Sequence, residues 1–391
     1  MWRALLQLPR GVWLLGLVSL FNDSASELVY PLVPLYLSNV LMAGPRVLGL
    51  IEGIAEALAS LLKLWAGVMV DRSGTAKPWV VAGYGLAGLA RPLIIFVAGW
   101  PMLLALRLAD RIAKAVRAAP RDALLAASIE PGQRGLAFGL HRAMDNAGAV
   151  IGPLLAWALL SAGMPLGRVF LWAVFPGLLC VALTLAVKEA PPPAAAPPRF
   201  SWTLASLPPA LRRYLVVVAL FTLGNSSNMF LLLRAKDLGV AEAQVPLLWA
   251  AVSGVAALFA VPLGGLSDRV GRLRLLVTGY LAYAAFYVGM AVWAEPGWRL
   301  YLLFGLYGIF MAATEGVERA LLADLTPPEQ RGTAFGWLNL VMGALLLPAS
   351  LLFGGLWEGA SATVAFCFSA ACALAAAALL TTWVRPAMTM L

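Results

Sequence analysis

The residues able to do chemistry in this 391-residue chain are charged side chains set inside long apolar runs. Asp23 and Glu27 lie four apart in the first run, and Glu52 and Glu56 four apart in the next. A later run carries Arg107, Asp110, Arg111, Lys114, Arg117 and Arg121, and the one after it Arg142, Asp145 and Asn146. An ionisable group at bilayer depth costs roughly 3 kcal/mol or more, so it turns toward a partner or a wet cavity. At about 100° per residue, the six charges from Arg107 to Arg121 fall within an arc of about 120°, one polar stripe that lipid cannot tolerate.

Three kinds of chemistry fit. A carboxylate beside an arginine can lose and regain its proton as the partner moves away, coupling proton flow to a conformational change. Asp23, Glu27, Glu56 and Asp145 are the candidates for that role. Alternatively, the surplus positive charge of the stripe binds an anionic headgroup, for which the arginine fork is suited. The third reading is a permanent ion-pair lattice that fixes helix packing. Enzymatic chemistry lacks its parts. His141 is the single histidine and builds no metal site by itself, and Cys180, Cys367 and Cys372 sit in apolar runs without metal spacing, as small core residues. With no nucleophile–base pair and no GxxxxGK[ST] phosphate loop, neither an enzyme nor a cofactor or metal is expected.

The elements that must position these residues follow from composition. Hydrophobic residues make up 62% of the chain and charged ones 12%, where a soluble chain carries about 25% charged. Runs of the roughly 20 apolar residues that span a bilayer recur about twelve times. We place spans at 11–37, 45–69, 78–98, 100–123, 134–162 and 166–187, and then at 213–234, 243–267, 273–294, 297–322, 331–357 and 361–384. On these spans Asp23, Glu56, Arg111 and Asp145 all lie near mid-membrane. The first span is long and contains two acids, unlike a cleavable signal. An even count puts both termini on one side. Sixteen Lys or Arg lie on that side and five (Arg46, Arg168, Arg234, Lys236, Arg299) on the other, so both termini are expected in the cytoplasm. The net charge of +9 is spread through these short loops, which argues against nucleic acid as a partner. The proline-dense stretch after Lys188 reads as a linker. It divides the chain into an N-terminal bundle (1–187), a cytoplasmic linker (188–212) and a C-terminal bundle (213–391).

A repeat relates the bundles. Gly67-x-x-x-Asp71-Arg72-x-Gly74 recurs as Gly264-x-x-x-Asp268-Arg269-x-Gly271, 197 residues later. LLAASIEPGQRGLAFG from Leu124 recurs as LLADLTPPEQRGTAFG from Leu321 at the same offset. The halves are therefore duplicated six-helix units in the same orientation.

On these motifs the whole chain resembles the major facilitator superfamily. GVMVDRSGTAKP (67–78) and GGLSDRVGRLR (264–274) are similar to its signature loop, the second copy more closely, with Arg272 and Arg274 in the basic positions. The first copy has Thr75 and Ala76 there. The resemblance implies that Asp71 and Asp268 anchor a latch closing the cytoplasmic side, with Arg121 a candidate partner of Asp71. Gly148-x-x-x-Gly152-Pro153 resembles a motif of antiporters, and Pro31-Leu32-Val33-Pro34 one of the twelve-helix drug–proton antiporters. Ordinary close packing and kinks explain both equally well. Spans 1, 4, 7 and 10 line the cavity in that family, with 2, 5, 8 and 11 beside them. Asp23, Glu56, Arg111 and Asp145 are thus expected to converge. Arg107 matches an embedded arginine of related antiporters, but Asp110 and Arg111 replace an uncharged pair. In the second half Asn225, Asn228 and Asn339 are candidate uncharged contacts to substrate, or polar glue between helices. Glu315 pairs with Arg319 at i,i+4 near the gate, and Lys63 and Arg91 read as snorkelling or locally paired.

The expectation is an all-α membrane protein of twelve helices in two pseudo-symmetric bundles. It is expected in the cell inner membrane as a monomer, taking a small-molecule substrate and protons. Its function would be proton-coupled antiport exporting an amphipathic or anionic molecule by alternating access. The alternatives are symport of an organic anion or metal chelate, or flipping of an amphiphile such as a lysolipid.

Overall fold

The computed structural model describes residues 8–73, 75–128, 134–189, 207–326 and 331–385. Each expected span is helical, and the described residues contain no strand. α1 is Arg10–Asn39. Pro31 and Pro34 lack backbone donors, and the α-helix passes there through a 3-10 turn at Tyr30–Leu32 before resuming at Val33–Asn39. α2 is Pro45–Ser73, α3 Lys77–Phe96, α4 Trp100–Ala127, α5 Arg134–Ser161 and α6 Leu166–Ala186. The second series is α7 Pro209–Asp237, α8 Val245–Val270, α9 Arg272–Val292, α10 Trp298–Asp324, α11 Arg331–Gly359 and α12 Ala362–Val384. Among the described residues ten of these are long and apolar enough to cross a membrane. α2 and α4 fall outside that group, and they are the helices that carry Glu52, Glu56 and Lys63 and the six-charge stripe.

The helix starts show how local sequence sets these bounds. Gly271 has φ +95°, a region L side chains rarely adopt, so glycine there lets α8 turn at once into α9. The start of α3 finds its anion elsewhere. The Glu189 carboxylate accepts from the backbone N–H groups of Ala76 and Lys77, a negative charge at a helix N-terminus.

The helices gather into two compact units. One comprises α1, α2 from Leu58, α3 to α6 and the segment Ala241–Ala250. Its apolar core joins Val12, Leu15 and Val18 of α1 to Val80 and Tyr84 of α3 and Leu124 and Leu125 of α4. The other unit comprises Ala43–Ala57, α7, α8 from Ala251 and α9 to α12. Its core is aromatic: Phe221 stacks on Tyr280 with centroids 3.9 Å apart, and Tyr283 on Tyr287 at 4.1 Å. In this unit α7 is interrupted between Pro209–Gly224 and Met229–Asp237. The break is tied down by the Tyr283 hydroxyl, which donates to Gly224 O at 3.0 Å, and by the Tyr307 hydroxyl, which donates to Asn228 Oδ1 at 2.5 Å. Cys180 and Cys372 are buried, whereas Cys367 is exposed. The expectation of three core thiols therefore fails for Cys367, on an outward face of α12.

Candidate functional site

The site of the first unit is built on the seam between α1 and α5. A Cβ added at Gly148 would meet Leu20 O at 2.4 Å and Asp23 Cβ at 3.0 Å, and one added at Gly152 would meet Leu28 N at 2.6 Å. The two glycines therefore bring the helices to backbone contact, and the spacing Gly148-x-x-x-Gly152 is a packing device here. Gly148→Val is expected to lower stability by about 1–3 kcal/mol, because the added methyls have no space to enter. Thermal unfolding of the purified protein in detergent checks this. Gly85→Val is the control, since a Cβ there meets nothing within 4 Å.

Backbone contact puts Asp23 beside Asp145. The two carboxyls lie near enough to act on each other. Two acids so placed can hold one proton between them, since two carboxylates offer acceptors alone. Two further contacts flank the pair. Asn22 Nδ2 donates to Asp23 Oδ1 at 2.7 Å, and Arg142 Nη1 reaches Asp145 Oδ2 at 3.1 Å. Asp145 thus has a second acid on one side and a cation on the other. One turn along α1, Glu27 accepts from Trp249 Nε1 at 2.7 Å, and the Trp249 ring lies 5.1 Å from that of Tyr30. Asp23, Glu27, Asp145 and Asn146 are partly exposed, while Lys114 and Arg142 are exposed.

The α4 stripe takes a different form from the rest. Arg107, Asp110, Arg111 and Arg117 are buried. Asp110 Oδ1 accepts from Arg91 Nε at 2.9 Å, and its Oδ2 lies 3.8 Å from Arg107 Nη1. Arg91 Nη1 also donates to Asn22 O and Oδ1, at 3.0 and 3.1 Å. Arg117 Nη2 donates to the same Asn22 Oδ1 at 3.2 Å, and its guanidinium lies 4.8 Å from the Tyr84 ring centroid. The crevice among Ser26, Arg91, Arg107 and Asp110 has no space for a water molecule, so these groups satisfy one another directly. Asn22 joins this lattice to the carboxyl pair.

Of the two readings of Arg91, snorkelling or locally paired, the second holds. Arg91 is 3% exposed and central to the lattice, because the helical part of α3 that carries it packs against α4. Asn22, Trp249, Ser19 and His141 were missed as site residues. Asn22 precedes Asp23 in an apolar run, which is the one signal that could have found it.

The gate residues are less complete. Gly74 lies outside the described residues, and so do the side chains of Asp71, Arg72, Asp268 and Glu315; Gly67 and Gly264 are placed only as helical positions. Arg121 pairs with the neighbouring Asp122 at 2.9 Å and reaches Ser19 Oγ at 3.4 Å. Arg272 ties the start of α9 to Asp324 at 2.8 Å, and Arg269 is exposed. Glu56 belongs to the second unit, and Asp23, Arg111 and Asp145 belong to the first. In that unit Asn225 and Asn228 flank the break in α7, and Asn339 is exposed on α11. At the repeat offset, Arg107, Asp110 and Arg121 correspond to Phe304, Tyr307 and Glu318. The duplicated scaffold is thus charged in one copy and aromatic in the other.

Comparison with known proteins agrees with this architecture. The family profile described as Major Facilitator Superfamily matches residues 12–234 and 214–389. An uncharacterized MFS-type transporter of Methanocaldococcus jannaschii is 33% identical over 359 residues, covering 90% of this chain and 89% of that one. The multidrug resistance protein MdtH of Photorhabdus laumondii is 26% identical over 337 residues, covering 81% and 80%. Among solved structures, a bacterial homologue of the human lysosomal transporter Spinster aligns with a TM-score of 0.72 at 15% identity, covering 97% of this chain and 95% of that one. A peptide transporter of the POT type aligns at 0.82 and 12% identity, covering 98% and 96%.

Proposed function

The chain belongs to the Major Facilitator Superfamily, a family of multi-pass membrane transporters, and from that premise we propose that it is a proton-coupled antiporter exporting an amphipathic solute by alternating access. The observation that carries this reading is the Asp23–Asp145 carboxyl pair with Arg142 on its flank. When a shared proton leaves, two adjacent carboxylates repel, and the Arg142 contact with Asp145 tightens; when the proton returns, the two acids close on each other and that contact weakens. Protonation and side-chain arrangement are linked in this way, as coupling demands. Asp23 and Asp145 carry the proton, Glu27 stands beside them on α1, and Glu56 acts from α2.

Export is favoured by the resemblance to proteins named for multidrug resistance. An amphipathic solute suits the partly exposed charges of α1, α4 and α5 in the first unit and, in the second, Asn225, Asn228 and Asn339, which offer uncharged hydrogen bonds. The buried arginines of α4 serve the lattice, which leaves Lys114 and Arg142 as the exposed cations. Those two support the second reading, symport of an organic anion. We place the two bundles at 1–187 and 213–391, rocking as a monomer in the inner membrane with both termini cytoplasmic, and the loops at Asp71 and Asp268 as latches.

Interior pH of sealed proteoliposomes tests the proposal as cationic amphiphiles, organic anions and lysolipids are added in turn. Alkalinisation or acidification that depends on a solute and opposes its gradient is the expected result for antiport. A change of the opposite sign identifies symport, and a flat trace across the panel with folded protein removes proton coupling from the reading.

A further inference from the structure

The α1–α5 seam carries more than the carboxyl pair. One turn toward the N-terminus of each helix, Ser19 Oγ and His141 Nε2 are 2.8 Å apart. Ser19 is four residues before Asp23 and His141 four before Asp145, so the two pairs are successive rungs of one ladder, about 6 Å apart along the helix axes. Both Ser19 and His141 are buried. The helices touch at Gly148 beside the pair, and toward the N-terminal end the next titratable side chain on the seam is His141, which a proton leaving in this direction meets first. Imidazole is built for that step, because it can take a proton on one nitrogen and release one from the other. The groups facing it are Arg121 and Asp122 from α4, Arg142 and Asp145 from α5 and Ser19 from α1. Beyond Ser19, Arg121 and Asp122 are partly exposed, so the ladder ends in water.

We infer that His141, held by Ser19, is the proton relay between the Asp23–Asp145 pair and the water at the N-terminal end of α1. In the step, the O–H bond of the shared proton breaks and an N–H bond forms on the imidazole, leaving two carboxylates, one of them opposite Arg142 and the other bonded to Asn22. The imidazolium then gives a proton to water beside Ser19 and returns to neutral. The relay rests on the reading of the carboxyl pair as the coupling site. The fixed cation of Arg121 beside Ser19 opposes a proton resting at the last rung, so release depends on where that side chain lies.

The test needs no substrate. The full chain in lipid vesicles is mixed rapidly with D2O, and the carboxyl C=O stretch of the shared acid is followed by infrared difference spectroscopy. Asp145→Asn assigns the band. In the native chain the band is expected to shift promptly on deuteration. In His141→Gln, which keeps a group able to hydrogen-bond Ser19 but cannot carry a proton, exchange is expected to slow on the order of 100-fold, the scale of a positioned acid–base group. Ser19→Ala is expected to slow it less, and the double variant no more than His141→Gln alone, because both act on one path. Exchange in His141→Gln at the native rate overturns the relay, as do effects that multiply in the double variant. If no band is lost in Asp145→Asn, the shared proton itself is absent, and the failure lies with the coupling site and not with the relay.

Discussion

Asp23→Asn is expected to reduce solute-dependent proton movement to that of protein-free vesicles while leaving the chain folded. Asparagine has nearly the shape of aspartate, and its amide can still donate to Asp145, so the seam and its glycine contacts are kept. What it cannot do is exchange a proton, and the two-acid arrangement that makes proton loss mechanically consequential is gone. The loss is expected to exceed about 100-fold, as for removal of an essential acid–base group. The measurement is the interior pH trace with a solute the native protein moves, together with solute-for-solute exchange at equal pH on both sides. Exchange is expected to persist, because it needs no net proton. Gradient-driven activity at the native level would remove Asp23 from the mechanism.

Asp110→Asn should have the largest effect on stability. The substitution keeps volume but removes the carboxylate charge that faces Arg91 and Arg107 in a crevice with no space for water. Breaking a buried ion pair by neutralising one partner costs about 3–5 kcal/mol, well above the effect of losing a surface pair. The expected result is a lower unfolding midpoint and reduced yield of monodisperse protein. Arg91→Met combined with Asp110→Leu is expected to recover part of the loss, since apolar groups of similar volume often replace a buried pair at little cost. Recovery stays incomplete because Arg107 keeps its charge. An Asp110→Asn protein as stable as the native one would show that Arg91 and Arg107 are held by other groups.

The helices were legible in the sequence because lipid imposes a simple rule, and every span falls on a helix. The repeat was legible because two separate motifs share one offset of 197, at helix ends of both halves. The α4 stripe had the right face but an open role, because spacing tells which side a charge takes and not what meets it. That is why Arg91 could be read as locally paired but its partners not named: Asp110 and Asn22 come from two other helices, at sequence separations of 19 and 69. Asp23 and Asp145 were found singly. Their nearness depends on how closely α1 and α5 approach, and Gly148 sets that distance through a contact with a backbone oxygen 128 residues away. Glu27 gave no hint of Trp249, which arrives from the other half of the sequence.

The glycine seam also sets what can move. Where two helices touch through main-chain atoms at Leu20, Ser24 and Leu28, neither can roll against the other without a clash that no side-chain rotation relieves. α1 and α5 are therefore a single rigid strut in any cycle the protein runs. The acids Asp23 and Asp145 ride on that strut together, and the distance between them stays fixed as the surroundings change. The moving part of the switch is then the long side chain of Arg142, whose swing on its flexible stem takes far less time than a helix displacement.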